Sequence, residues 1–339
     1  MKVSSRRLVV WTAAGTGVRG VKGDGGPAVE AQVTSPTALA VQYSKTQELA
    51  LYFTESVRHV VRRLDLLSNL LTTVAGTGSP GTGGEGEPGR MSALANPQGL
   101  TVDNERGLLY IAEFANRRIR ALTIATGLID TAVGGGGIPL EKCDHAMGLA
   151  LASPLGVTVG PEGDLYFSDQ WAHRVIRIVR SSGAPEVVAG SGRRGYAGDG
   201  GPALAADMDC PSGVAVSDHG DLYVSDESNR RIRRVDARTG VIQSIVTDIR
   251  ATFLTTVHGG LLINDLDASC IFDWRESTGD LSLVSGTGSP GYSGDGGPAQ
   301  FAELDGPNAV VAGRLSGSFY IADQNNHRVR CVADRDLIT

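Results

Sequence analysis

Hydrophobic residues along this chain come in short runs that are separated by turn residues. In one well-defined stretch the runs lie at 154–159, 165–169, 174–178 and 186–190, and Gly-Pro-Glu-Gly-Asp at 160–164 separates the first two. The runs are rich in Val, Ile, Tyr and Phe, which favour β-strands, whereas Gly, Pro and Asp favour the turns between strands. The pattern predicts four short antiparallel strands per unit, which we name a, b, c and d in chain order.

The strand b run recurs along the chain. Its copies lie at 51–55, 109–113, 165–169, 222–226, 261–265 and 319–323, and the steps between their second residues are 58, 56, 57, 39 and 58. Four short strands repeated six times predict an all-β fold, a six-bladed β-propeller of four-stranded antiparallel blades. The blades are expected at approximately 35–78, 95–135, 153–192, 210–247, 250–288 and 306–333.

The ends of the chain predict how the last blade is completed. The sixth unit runs out at Cys331 and Val332 without a strand d, whereas residues 8–17 form an unassigned run that parallels strand d at 281–288. Residues 1–17 are therefore expected to supply the outer strand of the last blade, which removes an exposed sheet edge. On this interpretation residues 1–339 form a single propeller domain.

Strand c begins with a second recurring motif. It reads Asn-His-Arg-Val at 326–329 and Asn-Arg-Arg-Ile at 116–119 and 229–232, and it departs to Ala-Ser-Cys-Ile at 268–271. These motifs resemble the Asn-His-Arg-hydrophobic signature of NHL repeats, and the resemblance covers nearly the whole chain. It implies the propeller fold and says little about function, because one fold serves many functions.

An acid ends strand b in every unit. Because strand direction alternates, the b–c turns and the d-to-a crossings are expected on one face of each blade, which we call the upper face. The acids are Glu55, Glu113, Asp169, Asp226, Asp265 and Asp323. They are interpreted as capping the b–c turn or pairing with Arg118, Arg174, Arg231 or Arg328, and the alternative is a ring that holds a metal or a cationic ligand. Glu113, Asp169, Asp226 and Asp323 are kept as candidate binding residues.

The d-to-a crossings carry a glycine-rich motif. Gly-Asp-Gly-Gly-Pro-Ala occurs at 23–28, 198–203 and 294–299, with a diverged copy at 83–88. Such glycine density predicts positive φ angles and close backbone approach. The motif lacks the Asp-x-Asp of calcium loops and the Gly-Lys-Ser/Thr of phosphate loops. It is interpreted as a self-packed crossing loop, and Asp24, Asp199 and Asp295 are the candidates for binding on it. The fifth unit lacks this motif, so the rim is expected to be lowest at residues 247–250.

Two aromatic residues stand out by position. Phe114 and Trp171 follow the acids of consecutive units, at the tips of the b–c turns. Turn-tip aromatics are candidates for anchors of a protein interface, and the alternative is packing beneath a crossing loop.

Composition narrows the function classes. The net charge of −6 argues against nucleic-acid binding, which needs a basic surface. The four cysteines form no Cys-x-x-Cys pair, so neither a zinc site nor a disulfide framework is indicated, and a reducing, cytoplasmic setting is expected. No apolar stretch is long enough to insert into a membrane, and the apolar run at 8–11 is too short for a secretion signal.

The sequence predicts a binding protein. His59, His173 and His327 share one repeat position at the start of strand c, and no Ser-His-Asp order or nucleophile elbow is visible. We predict no catalytic residue, no metal and no cofactor, and a non-catalytic scaffold that binds a protein or peptide on the upper face. Related propellers include metal-dependent lactonases and peptidylglycine lyases, and some NHL propellers read RNA. The alternatives are therefore a metal-dependent hydrolase or lyase with a site at the central channel, and an RNA-binding protein.

Overall fold

The computed structural model of the protein describes residues 8–313 and 317–334. The described residues contain twenty-five β-strands and nine short 3-10 helices, so the fold is all-β as predicted. The 3-10 helices are η1 Ala28–Glu30, η2 Ser56–Arg58, η3 Gly89–Met91, η4 Leu140–Lys142, η5 Ala146–Gly148, η6 Gln170–Ala172, η7 Ala203–Ala205, η8 Glu227–Asn229 and η9 Ala299–Phe301.

The strands form six antiparallel sheets, and each sheet is one blade. Blade 1 is β2 Pro36–Tyr43, β3 Glu48–Glu55, β4 Val60–Asp65 and β5 Leu71–Ala75. Blade 2 is β7 Pro97–Asp103, β8 Leu108–Glu113, β9 Arg118–Thr123 and β10 Leu128–Gly134, with the short β6 Glu87–Pro88 beside β10. Blade 3 is β11 Pro154–Val159, β12 Leu165–Asp169, β13 Arg174–Ile178 and β14 Pro185–Ala189. Blade 4 is β15 Pro211–Val216, β16 Leu222–Asp226, β17 Arg231–Val235 and β18 Ile242–Thr247.

Blade 5 is β19 Leu254–Val257, β20 Gly260–Asp265, β21 Cys270–Arg275 and β22 Leu281–Ser285. Blade 6 is β23 Pro307–Ala312, β24 Phe319–Asp323, β25 Arg328–Asp334 and the N-terminal β1 Leu8–Ala14. Six four-stranded blades in this order confirm the predicted six-bladed β-propeller.

The N-terminal strand completes blade 6, as the sequence predicted, and residues 1–7 of the predicted segment lie outside the described residues. β1 pairs antiparallel with β25, with Leu8 opposite Asp334 and Val10 opposite Val332. Val10 is buried in a core cluster with Val332 and Ile321. The strand therefore contributes both a backbone ladder and core side chains to the last blade.

Residue contacts divide the chain into two compact units. One covers residues 1–74 and 252–339 and the other covers residues 75–251. Each unit has its own cores between neighbouring blades, such as the cluster around Phe167 and Ile176 in the second unit. In the first unit β24 is buried along its whole length, which suits its continuous apolar run.

The connections between blades differ in length. The segment between β18 and β19 covers only residues 248–253, which agrees with the missing glycine-rich motif in the fifth repeat. Within the described part of the chain, no helix has the length and apolar character needed to cross a membrane.

Candidate functional site

The b–c turns share one backbone geometry. The fourth residue after each strand b acid is a non-glycine in the left-handed region, with φ between 50° and 56°: these residues are His59, Arg117, His173, Arg230, Ser269 and His327. Left-handed conformation is costly for such residues, so its recurrence in all six blades shows that the surrounding fold imposes it. Two of the histidines also connect blades, because His173 Nδ1 accepts the Cys210 amide at 3.3 Å and His327 Nδ1 accepts the Ser35 amide at 3.2 Å.

The acids that end strand b are buried. Glu113 is representative. One carboxylate oxygen accepts the Ala95 amide at 2.9 Å and the Asn116 side chain at 2.8 Å, and the other accepts Arg118 at 2.6 Å. The same Asn116 amide group also donates to the carbonyl of Gly81 in the preceding crossing loop at 2.7 Å. The first residue of the Asn-His-Arg motif thus joins the acid to the crossing loop.

An arginine in the middle of strand c meets the acid in four blades. The four side chains, which are at most 3 % exposed, are Arg62, Arg120, Arg233 and Arg330. Arg233 lies 3.5 Å from Asp226, and Arg330 lies 3.3 Å from Asp323. A buried guanidinium is destabilising unless a carboxylate and further acceptors surround it, so this arginine requires the acid.

The crossing-loop acids complete the same arrangement from the other side. Asp199 accepts Arg233 at 2.8 Å, and Asp295 accepts Arg330 at 2.6 Å. Loop carbonyls contribute as well, since Arg233 donates to the carbonyl of Asp207 at 2.7 Å. The glycines allow this approach: Gly198 has φ of 102°, and a Cβ there would lie 2.7 Å from the Cα of Ala206. The predicted positive φ angles and close backbone approach are confirmed at this loop.

The acid of the glycine-rich motif and the buried arginine occur together or not at all. The four blades with the arginine each have an acid in the preceding crossing loop, and these acids are Asp24, Glu85, Asp199 and Asp295. Blades 3 and 5 have Ile176 and Phe272 at the arginine position, and neither is preceded by the glycine-rich motif. We call the loop acid, the buried arginine and the strand b acid together the clamp. Its all-or-none occurrence marks the clamp as part of the blade architecture.

The structure changes the arginine partners that the sequence suggested. Arg118 does pair with Glu113, as expected. In blades 4 and 6 the arginine within 4.0 Å of the strand b acid is two residues later than expected, Arg233 and Arg330 in place of Arg231 and Arg328. The reason is strand alternation, because these later residues lie opposite Val224 and Ile321 of strand b and point into the blade.

The clamp sets the protonation behaviour of its acids. Burial raises the pKa of Asp323 to about 6, although the Asp305 amide, Asn326 and Arg330 all favour the ionised form. Burial also works against ionisation of Asp199, yet hydrogen bonds from Ser244 and the ion pair with Arg233 lower the pKa of Asp199 overall. Both carboxylates are therefore charged at neutral pH and balance the buried guanidinium groups.

Blade 3 holds its acid with backbone amides, and Arg174, the expected partner, forms its ion pair with Glu141 at 3.2 Å instead. Asp169 is buried, and its carboxylate accepts the amides of Ala152 and Ser153 at 3.0 and 2.6 Å. We expect Asp169→Asn to lower the free energy of unfolding by about 1–3 kcal/mol, because the amide group of Asn replaces one acceptor with a donor that faces backbone N–H groups. Urea unfolding of the variant measures this loss. An unchanged midpoint would show that these two contacts contribute nothing to stability.

The two turn-tip aromatics lie against each other. The rings of Phe114 and Trp171 are 5.2 Å apart and nearly perpendicular, at 82°, which is a favourable edge-to-face geometry. Phe114 is half-buried, whereas Trp171 is 59 % exposed. Trp171 therefore presents most of its ring to solvent, with its backbone amide held by the Ser153 hydroxyl at 2.9 Å.

A cavity that the sequence did not indicate lies in the first unit. It has a volume of about 570 Å³ and is lined by residues that include Trp11, Leu64, Tyr320 and Cys331. Glu48 is its acidic residue, and the Glu48 carboxylate accepts the Tyr320 hydroxyl at 2.7 Å. The lining comes from several separate segments, so no local sequence signal marks it.

Sequence comparisons find similarity to NHL proteins. Residues 159–256 match the family described as Teneurin NHL domain. The chain is 25% identical over 245 residues to Protein SUPPRESSOR OF QUENCHING 1, chloroplastic, from Arabidopsis thaliana, which covers 70% of this chain and 23% of that protein. It is 25% identical over 269 residues to NHL repeat-containing protein 2 from Gallus gallus, which covers 72% of this chain and 37% of that protein. The chain thus spans well under half the length of these relatives.

Solved structures share the fold. An auxiliary nutrient binding protein from Bacteroides thetaiotaomicron has a TM-score of 0.67 at 17% identity, covering 98% of this chain and 77% of its own. A gluconolactonase from Xanthomonas campestris has a TM-score of 0.61 at 16% identity, covering 89% of this chain and 86% of its own. At such identities the likeness concerns the fold alone, and the hydrolase or lyase alternative remains a hypothesis.

The repeats, the six four-stranded blades and these matches together define the class of protein. It is a six-bladed β-propeller, and its repeats are similar to those of NHL-repeat proteins.

Proposed function

We propose that this propeller is a non-catalytic interaction scaffold that captures a protein or peptide segment through Phe114 and Trp171. The exposed edge-to-face pair carries the proposal. A tryptophan combines a large apolar area with few rotatable bonds, so a partner that covers it gains burial at little entropic cost. Trp171 lies on a turn of a rigid blade, which holds the ring in place before the partner arrives.

The position of the pair in the repeat supports this role. Blade 3 has no clamp, and its b–c turn is held by Asp169 and two backbone amides. Trp171 on this turn lies outside the packed interior. Sites where a repeat protein departs from its own pattern are where function is expected, because the departure brings no structural gain.

Charge narrows the chemistry of the partner. The neighbouring acids Glu113 and Asp169 are buried and hydrogen-bonded within the blades, so their charges are not presented to a basic partner. Arg117, on the same turn as Phe114, is exposed. A segment with a large apolar side chain next to an acidic residue therefore fits the surface best.

We also propose that the protein works in a reducing compartment, the cytoplasm, and does not bind nucleic acid. The support is the four free cysteines and the net charge of −6. A mobility-shift titration with single-stranded RNA at low salt tests the second part, and a shift at micromolar protein would contradict it.

We expect Phe114→Ala together with Trp171→Ala to weaken peptide binding and leave the fold intact. A random peptide library is selected on the wild-type protein, and the enriched peptides are titrated into both proteins. Hot-spot residues contribute on the order of 2 kcal/mol each, so affinity should fall by at least about 30-fold. Melting temperature should change little, because the turn tips add little core.

A matched aromatic variant controls for the general loss of exposed apolar area. Phe301 on η9 is 65 % exposed, so Phe301→Ala should leave peptide affinity unchanged. Peptides that bind the double variant as tightly as the wild type would overturn the assignment of this surface, and so would a library that yields no enriched peptide.

A further inference from the structure

Three side chains with metal-binding donors meet between blades 3 and 4. One donor atom each from His173, Asp209 and Cys210 lies within 4.8 Å of the others. His173 ends the b–c turn of blade 3, whereas Asp209 and Cys210 directly precede strand β15 of blade 4. The folded arrangement of two blades therefore assembles the group, which sequence spacing does not reveal.

The backbone around the cluster is held firmly. Asp209 donates its amide to Asp226 at 2.7 Å, and Cys210 adopts a left-handed φ of 52°. The Cys210 amide donates to Nδ1 of His173 at 3.3 Å, so the Nδ1 lone pair is unprotonated and directed at Cys210. That hydrogen bond is long and therefore weak. A metal ion that coordinates Nδ1 would replace it at little cost.

One carboxylate oxygen in the cluster is poorly satisfied. Asp209 is 8 % exposed, and among the described residues its buried Oδ1 has no N–H or O–H donor, while the Cys210 thiol beside the carboxylate is a weak donor. Its Oδ2 pairs with Arg194 at 2.9 Å, and the Arg194 side chain is mostly exposed. A buried carboxylate oxygen that lacks a donor is costly, and a bound cation removes that cost.

The same backbone frame occurs elsewhere in the chain without these donors. At the entry to blade 1, Ser35 has a φ of 46° and donates its amide to His327 Nδ1, and Thr34 donates its amide to Glu55. Thr34 and Ser35 thus stand where blade 4 has Asp209 and Cys210. The shared frame explains the histidine, and blade 6 has Asp305 at the position of Asp209. Among the described residues, the combination of histidine, carboxylate and thiol occurs in blade 4.

We propose that His173, Asp209 and Cys210 form a Zn²⁺ site whose fourth position is open to water. Imidazole, carboxylate and thiolate are the ligand types that zinc accepts, and three protein ligands with one open position are a known zinc arrangement. Zinc–ligand bonds of about 2.0–2.3 Å place tetrahedral donors about 3.5 Å apart, so the side chains must draw in by roughly 1 Å. Arg194 stays on Oδ2 and orients the carboxylate from outside.

The test is a calorimetric titration of tag-free, chelator-treated protein with zinc chloride. We expect one ion per chain. Cobalt(II) added in place of zinc should give the near-ultraviolet charge-transfer band of a thiolate complex. Replacing Asp209→Thr and Cys210→Ser copies the residues of blade 1 and should fold, and it should weaken zinc binding by at least about 100-fold.

Two matched controls keep the result specific. Cys143→Ser removes another partly exposed thiol, and His327→Gln removes the histidine of the equivalent frame in blade 1. Neither should alter zinc affinity or the cobalt band. Absence of stoichiometric zinc binding in the wild type, or binding that survives the Asp209→Thr and Cys210→Ser replacement, would overturn the site.

Discussion

A chain that lacks residues 1–17 is expected to lose cooperative folding. The deletion removes β1, which pairs with β25 from Leu8 opposite Asp334 to Ala14 opposite Val329, and it removes the buried Val10. The loss of a whole strand from a blade is comparable with the total stability of a domain, about 5–15 kcal/mol. The exposed edge of β25 then favours aggregation. Circular dichroism melts and gel filtration measure both effects.

A circular permutant separates loss of the strand from loss of the N-terminus. Leu8 and Asp334 are register partners, so a short hairpin loop can join residue 334 to residue 8 in a chain that begins at residue 18. This permutant restores β1 and should recover a cooperative melt and monomeric elution. A deleted chain that keeps the wild-type melting temperature would contradict the closure of blade 6.

Replacing Arg233 by Met is expected to destabilise the fold by about 3–5 kcal/mol. The guanidinium is fully buried and lies against Asp199 and Asp226, so its removal leaves Asp226 as a buried charge without its cation. The substitution also removes the hydrogen bond that Arg233 donates to the carbonyl of Asp207 in the crossing loop. Chemical unfolding gives the change in free energy.

Arg193→Met is the matched control for this substitution. Arg193 also pairs with an acid, Asp207, but its side chain is 75 % exposed. Exposed ion pairs contribute about 0–1 kcal/mol, so this variant should remain close to wild type. Similar losses in the two variants would contradict the claim that burial makes the clamp important.

Much of the fold could be predicted because the repeats can be compared with one another within the sequence. Strand b and the turn residues recur at regular spacing, which reveals the number of blades. The fourth strand is missing after Val332, which reveals the role of β1. The clamp is harder to predict because its members come from three segments. The sequence did contain one signal for the clamp. Where the glycine-rich motif is absent, the strand c arginine is also absent and is replaced by Ile176 or Phe272.

The contacts within the candidate sites were harder to predict from the sequence. The edge-to-face contact between Phe114 and Trp171 depends on how two blades are placed, which no local pattern encodes. Cys210 and His173 are far apart in sequence and lack the usual zinc spacing, so the cysteine count suggested no metal. The aromatic pair and the His173, Asp209 and Cys210 cluster both form between neighbouring blades. They depend on turn geometry that the repeats share but that is not evident from the sequence.

The most direct test compares two variants with the same selected peptide. We propose that the clamp provides stability and that the aromatic pair provides recognition. Arg233→Met should therefore lower the melting temperature yet bind the peptide with unchanged affinity at a temperature where it is folded. The Phe114→Ala and Trp171→Ala variant should keep its melting temperature and lose affinity by at least about 30-fold. Lost peptide binding in folded Arg233→Met, with binding retained by the aromatic variant, would contradict the account.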